Sequence, residues 1–373
     1  GQGAQRVGML AAVRDRFPVV AAALAESERA LEGALPIPLG QVLYPERRAT
    51  PVGPEQAEAE LTDTAVCQPT LVAAGVALWR LLEQVGVSPV VAGGHSLGEF
   101  PAAVVGGVLS ARDAVRFAAA RGRAMASVDG DPGAMAALAT DVGKARTLLV
   151  DGAVIANENH SRQVVVSGTS DAIRAVSANA AAAGIDCKRL NVSHAFHSPL
   201  FAALDPEPWL DGITLRDPSS VAVASCIADH PYADSAEARA VFSRHASSPV
   251  RFDRMLDQCA ELGADLYLQV GAGGPLATFA RNGAGKNARA VLTLASSDDA
   301  DGGRSALETL GWLWVYGVDL DTRPITAPAE VASLPPIVLP REPYWPVKDH
   351  AQLAAKPTSA AHSAPAPHHA PAA

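Results

Sequence analysis

A serine stands between two glycines directly after a short apolar run, in the sequence VVAGGHSLGEF at residues 90–100. Small residues at Gly94 and Gly98 permit a sharp turn from a strand into a helix, which lifts Ser96 clear of the backbone at the positive end of that helix. A strand pattern precedes the turn and a helix follows it. The stretch therefore favours an α/β fold with a nucleophilic serine; the alternative is an ordinary glycine-rich turn with a capping serine.

Helical and strand patterns alternate on both sides of this turn. Ser110, with Asp113 three residues later, forms a capping-box signature that marks the start of a helix. Helices are predicted at about residues 68–84, 110–126, 252–262 and 276–281, and strands at 89–92 and 266–270. The fold class we predict is α/β, with an α/β-hydrolase-like large subdomain that contains a parallel sheet. Residues 1–130 and 196–318 are assigned to it.

The segment between those two parts has a different pattern. Strands are predicted at residues 134–138, 153–157, 163–166 and 188–192, and alanine-rich helices at 142–149 and 170–183. The order strand-helix-strand-strand-helix-strand is that of a ferredoxin-like α+β unit. We therefore predict that residues 131–195 form a small subdomain inserted into the larger one.

The last part of the chain changes composition. Residues 319–349 include the proline-rich LPPIVLPREPYWP, which is unsuited to a central strand but carries two aromatic side chains, so we expect an extended linker along the globule. Residues 350–373 are nearly all Ala, Pro, Ser and His and cannot pack a core. We expect a disordered linker there, in preference to a metal site at His368 and His369.

Charge, cysteine usage and hydropathy exclude several classes of function. A formal charge of −9 without a Lys/Arg-rich run argues against nucleic acid or an anionic membrane as a partner. The four cysteines lack C-x-x-C spacing, which indicates neither a zinc site nor a disulfide framework and fits a reducing cytoplasm. No apolar run reaches about 20 residues, so we expect neither a membrane span nor a signal peptide. Because it begins GQG without Met, we expect a segment of a longer polypeptide.

Five short motifs occur in an order that carries a family resemblance. They are GQGAQ at residues 1–5, GHSLGE at 94–99, RGRAM at 121–125, SHAFHSPL at 193–200 and SSPVRF at 247–252. In order and approximate spacing the chain resembles the malonyl-CoA:acyl carrier protein transacylases. It is most similar to the acyltransferase domains of type I polyketide synthases, from residue 1 to about residue 345, including a following linker like LPREPYWPV.

The resemblance implies roles for residues around the serine. Ser96 matches the nucleophile and His197 the base that takes its proton and returns it to the leaving thiolate. The oxyanion would be bound by the backbone amides of Gln2 and Leu97. A backbone carbonyl orients the histidine in this family, and the matching position is His245, where relatives usually carry Asn or Gln.

Further positions match the acyl-binding part of the family site. Arg121 would hold the malonyl carboxylate through two parallel hydrogen bonds; the alternative is a solvated arginine. His95 and Asn157 are expected to line the site, and a purely structural hydrogen bond is an alternative for Asn157. His194 and Phe196 belong to HAFH, which in relatives goes with malonyl rather than methylmalonyl, although both could simply pack a strand end.

The implied activity is a ping-pong transfer of a malonyl group from malonyl-CoA to the phosphopantetheine thiol of an acyl carrier protein. No metal or redox cofactor is expected. We expect the carrier domain on the same polypeptide, with a neighbouring ketosynthase domain. Two alternatives remain: a serine hydrolase or thioesterase with the same serine and histidine, or a non-catalytic packing module of a synthase. A cation such as Arg121 has little use in a lipase-like pocket, and a non-catalytic module would be expected to have lost Ser96 or His197.

Overall fold

Helices and strands alternate through most of the chain in the computed structural model, which describes residues 2–47, 52–128, 130–271, 273–284, 288–295 and 303–326. The helices are α1 (Ala11–Arg16), α2 (Pro18–Ala30), α3 (Leu39–Leu43), α4 (Pro54–Thr62), α5 (Thr64–Gln84), α6 (Glu99–Val105), α7 (Ala111–Ala126), α8 (Val142–Arg146), α9 (Ser170–Ala182), α10 (Glu207–Leu210), α11 (Ser235–Arg244), α12 (Phe252–Glu261), α13 (Leu276–Gly283) and α14 (Arg304–Val315). The strands are β1 (Val91–Gly93), β2 (Ala134–Leu138), β3 (Ala153–His160), β4 (Gln163–Gly168), β5 (Cys187–Arg189), β6 (Ala222–Ala224), β7 (Val250–Arg251), β8 (Leu266–Gln269) and β9 (Ala290–Thr293). One-turn 3-10 helices occur at Pro45–Arg47, Ser96–Gly98 and Pro199–Phe201.

Helix α5 is the central helix of the larger part. It starts four residues earlier than the sequence predicts, because the carboxylate of Asp63 caps it by accepting a hydrogen bond from the amide of Ala65. Pro69 therefore lies inside the helix rather than near its first turn. The helix is long and apolar enough to cross a membrane, but 83% of its most apolar window is buried within the protein, which is the setting of a core helix.

The larger part contains two pairs of parallel strands. Strand β1 pairs with β6, and β8 pairs with β9. An apolar cavity of about 460 Å³, lined by residues of β1 and β8, lies between the two pairs. Helices surround these strands, so the predicted α/β class with parallel strands is confirmed.

The small sheet has the strand order β5-β2-β4-β3-β7. Its first four strands are antiparallel neighbours in the order of a ferredoxin-like sheet, as predicted. The fifth strand, β7, comes from outside the predicted insertion and lies parallel to β3, with Asn157 opposite Val250. All of the described residues belong to one compact unit, and the predicted boundaries at 130/131 and 195/196 stay predictions.

Both faces of the small sheet are buried, which fixes its position against the larger part. Successive strand residues point to opposite faces. Ala136 and Val166 belong to a core beneath α8 and α9, whereas Met135 and Val165 belong to the main core. The β3–β7 edge of the sheet is thereby held beside the larger part, next to the loop that carries His197.

The predicted C-terminal segments fall mostly outside the described residues. Only residues 319–326 of the predicted linker at 319–349 are described, and they follow α14. The rest of that linker, with Tyr344 and Trp345, and the predicted tail at 350–373, with His368 and His369, lie outside the described residues.

Candidate active site

Ser96 occupies the turn that its motif predicts. It follows β1 and begins the one-turn 3-10 helix that leads into α6. Its φ of 50° lies in the left-handed region, which non-glycine residues seldom adopt outside such strained turns. A Cβ atom at Gly94 would lie 2.0 Å from the carbonyl carbon of Gly98, so the turn closes only because position 94 is glycine.

His197 lies beside Ser96 although 101 residues separate them in sequence. The Nε2 atom of His197 is 2.6 Å from Oγ of Ser96. The histidine has a φ of 58°, and its backbone amide donates to the carbonyl of Ala246, which holds the strained loop in place. The structure thus brings the predicted nucleophile and base into hydrogen-bond contact.

The carbonyl that orients His197 belongs to Ser248, not to His245. The Nδ1 atom of His197 is 2.9 Å from the carbonyl oxygen of Ser248. A carbonyl only accepts, so Nδ1 carries the proton and Nε2 is left to accept the proton of Ser96. The prediction for His245 was wrong because the chain turns after α11 and enters β7 at Val250, which places the later carbonyl under the imidazole.

The environment keeps His197 uncharged. Burial lowers its pKa well below 6.5, and the neighbouring His245, Arg121 and His95 lower it further. The hydrogen bond to Ser248 acts in the opposite direction but is the weakest of these effects. A neutral imidazole near pH 7 is the form that a general base requires.

His95 is fixed by Asn159, a residue that sequence reasoning did not single out. Its Nε2 atom is 2.8 Å from Oδ1 of Asn159, and its ring packs against Phe252 and Phe279 with centroid separations of 5.4 and 6.2 Å. Burial lowers the pKa of His95 to about 4. Asn157 is buried two residues earlier in β3, before a register shift that the sequence does not reveal.

Arg121 is a buried cation, which rules out the solvated alternative. Its Nη1 donates to Oε1 of Gln68 at 2.7 Å, and its Nη2 is 3.5 Å from Nδ1 of His245. Its Nε has no hydrogen-bond partner and it forms no ion pair with a carboxylate within the described part of the chain. Burial lowers its pKa to about 9, so it is still charged at neutral pH. A buried guanidinium with free donors is a ready site for an anionic group.

The predicted oxyanion residues are Gln2 and Leu97. Nε2 of Gln2 donates to Oγ1 of Thr64 at 3.3 Å, at the start of α5. Leu97 is buried in the 3-10 turn after Ser96. The oxyanion role of their amides stays a prediction.

Two side chains of HAFH, His194 and Phe196, form an aromatic cluster with Phe201. Phe196 is buried and stacks on Phe201, with ring centroids 5.7 Å apart. The ring of His194 lies 6.0 Å from that of Phe196, and its buried Nδ1 has no hydrogen-bond partner among the residues described. These contacts are packing contacts, and the substrate roles of both residues stay predictions.

A buried carboxylate below the site was missed by sequence reasoning. Glu99, fully buried, accepts hydrogen bonds from Oγ of Ser225 at 2.5 Å and from the hydroxyl of Tyr232. Its Oε2 lies 3.4 Å from Nε2 of His245, whose side chain is also fully buried. An acidic residue in the first turn of a helix is normally exposed to solvent and interacts favourably with the helix dipole. The sequence therefore gave no indication that Glu99 is buried in a hydrogen-bond network.

Comparison with known proteins identifies the family of this chain. A family model described as acyl transferase domain matches residues 1–296. The polyketide synthase GfsA of Streptomyces halstedii is 36% identical over 364 residues, which cover 92% of this chain and 5% of that protein. The chain therefore spans a small fraction of the length of this relative.

Two solved structures have the same fold. The acyltransferase domain from the second module of the salinomycin polyketide synthase has a TM-score of 0.75 and 33% identity, covering 90% of this chain and 77% of that one. A malonyl-transacylase in complex with its type II polyketide synthase acyl-carrier protein has a TM-score of 0.68 and 27% identity, covering 83% of this chain and 97% of that one. The resemblance inferred from the motifs is confirmed: the chain belongs to the acyl transferase domain family and is similar over most of its length to the acyltransferase domains of polyketide synthases.

Proposed function

We propose that this chain transfers a malonyl group from malonyl-CoA, through an ester on Ser96, to the phosphopantetheine thiol of an acyl carrier protein. The observation that carries the proposal is a Ser96–His197 pair at 2.6 Å in a site that also contains the buried, uncompensated Arg121. The pair supplies acyl-transfer chemistry, and the arginine supplies a counter-charge for an acyl group that ends in a carboxylate.

In the first half of the reaction, Oγ of Ser96 attacks the thioester carbonyl while its proton passes to Nε2 of His197. The bond between the carbonyl carbon and the CoA sulfur then breaks, and the imidazolium returns the proton to the thiolate. The hydrogen bond from Nδ1 to the carbonyl of Ser248 keeps the ring oriented through both steps. The amides of Gln2 and Leu97 are proposed to bind the oxyanion, and each such donor typically contributes about 3 kcal/mol to lowering the barrier.

The second half repeats these steps with a different nucleophile. His197 takes the proton of the carrier thiol, and the thiolate attacks the ester carbonyl on Ser96. The ester C–O bond breaks and the proton returns to Oγ. The net reaction exchanges one thioester for another, so it calls for no metal and no redox cofactor.

The proposed preference for malonyl over methylmalonyl rests on the aromatic cluster of HAFH. Phe196 is stacked on Phe201 and has little freedom to move aside for an α-methyl group. One methyl group changes binding by about 1–3 kcal/mol, so we expect a preference of about 10- to 200-fold rather than absolute exclusion. His95, His194 and Asn157 are proposed to line the same site.

The proposed partners follow from the relatives. One of the solved proteins of similar fold is a malonyl-transacylase in complex with its acyl carrier protein. The curated relative is a polyketide synthase about twenty times longer than the matched region. We propose that a carrier domain and a ketosynthase domain act with this chain on one cytoplasmic polypeptide.

Intact-protein mass spectrometry tests the proposal. The protein is incubated with malonyl-, methylmalonyl- or acetyl-CoA and then with a holo acyl carrier protein, with Ser96→Ala as the control. We expect a malonyl adduct that disappears in Ser96→Ala and moves to the carrier. Release of CoA with hydrolysis and no carrier loading would favour the hydrolase alternative. No adduct and no CoA release would favour the non-catalytic module.

A further inference from the structure

A continuous row of buried polar side chains lies beneath the Ser96–His197 pair and connects Tyr232 to Arg121. Glu99 accepts from Tyr232 at one end, His245 lies next to Glu99 with Nε2 3.4 Å from Oε2, and Nη2 of Arg121 lies 3.5 Å from Nδ1 of His245 at the other end. The mechanism above uses only Arg121 from this row. The side chain of His245 takes part in none of its bond-making or proton-transfer steps.

The two ends of the row determine the protonation of His245. A guanidinium only donates hydrogen bonds, so Nδ1 of His245, which faces Arg121, has to be the acceptor nitrogen. The proton then resides on Nε2, which lies 3.4 Å from Oε2 of Glu99 and forms no well-aligned hydrogen bond within the described part of the chain. The imidazole of His245 thereby lies between the Glu99 carboxylate and the Arg121 guanidinium. Its N–H lies on the side of the carboxylate and its unprotonated nitrogen on the side of the guanidinium.

The groups packed against His245 favour this neutral form. Burial lowers the pKa of His245 and the positive charge of Arg121 lowers it further; Glu99 raises it, but the net direction is downward. The ring centroid of His197 lies 6.1 Å from that of His245, and the ring centroid of Phe100 lies 4.9 Å from it. A proton on Nδ1 would place an imidazolium directly against a guanidinium, so the neutral ring is the form compatible with a charged Arg121.

Among the described residues, three contacts hold the Arg121 guanidinium, and His245 supplies one of them. Gln68 accepts from Nη1, the ring of Phe100 lies 5.7 Å from the guanidinium carbon, and His245 faces Nη2. Because Nε has no partner among the described side chains, removing the His245 acceptor would leave Gln68 as the one remaining hydrogen-bond partner. The planar group could then rotate about its Nη1 contact.

We propose that His245 is a positioning residue for Arg121: its Nδ1 holds the guanidinium in the orientation that receives the substrate carboxylate, so that selectivity for carboxylate-bearing acyl groups depends on His245. This inference rests on the proposed function. It predicts an effect on malonyl-CoA that acetyl-CoA, which lacks the carboxylate, does not experience.

The test is a competition between malonyl-CoA and acetyl-CoA for Ser96, read at short times by intact mass. The ratio of the two adducts does not depend on how much of a variant is folded. His245→Leu removes the acceptor, and His245→Gln keeps an acceptor and a donor. Phe242→Leu is the matched control, because the buried ring of Phe242 packs edge-on against Phe100 and Tyr232 but carries no polar group of the row.

We expect His245→Leu to lower the malonyl-to-acetyl ratio about 10-fold, which corresponds to one hydrogen bond to a charged group at the weak end of its range. His245→Gln should keep the ratio within about threefold of the unchanged protein, as should Phe242→Leu. Separate kinetics should show the loss in His245→Leu as a higher KM for malonyl-CoA with a smaller change in kcat.

Three results would overturn the inference. An unchanged ratio in His245→Leu would show that Arg121 does not need this acceptor, and an equal loss in Phe242→Leu would assign the effect to packing. An equal loss in His245→Gln would show that hydrogen-bond polarity is not what matters. Each of these leaves the proposed function intact, whereas failure of the unchanged protein to accept malonyl from malonyl-CoA would overturn both.

Discussion

The two glycines that flank Ser96 differ in how an alanine would fit. A Cβ at Gly94 would lie 2.0 Å from the carbonyl carbon of Gly98, 2.1 Å from its oxygen and 2.3 Å from the amide nitrogen of Glu99. Real Cβ atoms essentially never come closer than 3.0 Å to such atoms, so the backbone has to move apart by about 1 Å. A Cβ at Gly98 would meet no atom within 4 Å, and its φ of −65° suits any residue.

Gly94→Ala should therefore cost about 1–3 kcal/mol in free energy of unfolding, as overpacking does. A displacement of about 1 Å between Ser96 and His197 should slow acylation of Ser96 about 100-fold. Gly98→Ala should acylate at a rate within about threefold of the unchanged protein and gain up to about 1 kcal/mol in stability, because alanine favours helix more than glycine does.

Urea unfolding and the rate of adduct formation on Ser96, followed by intact mass, measure the two effects. Gly98→Ala serves as the matched control for Gly94→Ala, since both replace a glycine of the same motif with the same side chain. Equal loss of activity in both variants, or an unchanged rate in Gly94→Ala, would refute the reasoning from close backbone approach.

Three further predictions concern the buried groups. Stability should fall as pH drops below 6.5, by at most about 1.4 kcal/mol per pH unit for each group, because the unfolded chain takes up protons first. Burial holds the pKa below the unfolded value in five histidines of the described chain, namely His95, His160, His194, His197 and His245. A denaturation midpoint that is unchanged between pH 7 and 5 would contradict this. Tyr232→Phe should cost about 1.5–3 kcal/mol in urea unfolding, because it removes a donor to the buried Glu99 carboxylate; a loss below about 0.5 kcal/mol would show that the bond is not needed. In the native protein at pH 8 a thiol reagent should modify the half-buried Cys187 first, because the other three cysteines are buried with raised pKa values, and all four should react after unfolding; rapid native reaction of more than one would refute this.

Local features of the fold were predictable because they depend on neighbouring residues. The side chain of Ser110 accepts from the amide of Asp113, as its capping box predicts. Strands β2 and β4 were found from their composition and the turns around them, with β2 at its predicted bounds and β4 two residues longer than predicted. Ser96 was found because the patterns of a strand, a tight turn and a helix all occur within about a dozen residues of it.

Contacts between distant segments were less accessible. The contact of Asn159 with His95 depends on a register shift in β3, and the choice of the Ser248 carbonyl over that of His245 depends on where the chain enters β7. The error at His245 is a displacement of three residues along a segment that was correctly recognised. Such a displacement changes which group faces the site but leaves no mark on the local sequence pattern.

The sequence by itself determined the α/β class, the ferredoxin-like order of strands β2 to β5 and the turn at Ser96, and the family resemblance implied the pairing of that serine with His197. Only the tertiary structure decided which partners surround them: Ser248 on the base, Asn159 on His95, and the buried row from Glu99 through His245 to Arg121. The physical reason is that turns and helix caps form between residues a few positions apart. Burial and charge pairing, in contrast, arise where segments more than a hundred residues apart exclude water together.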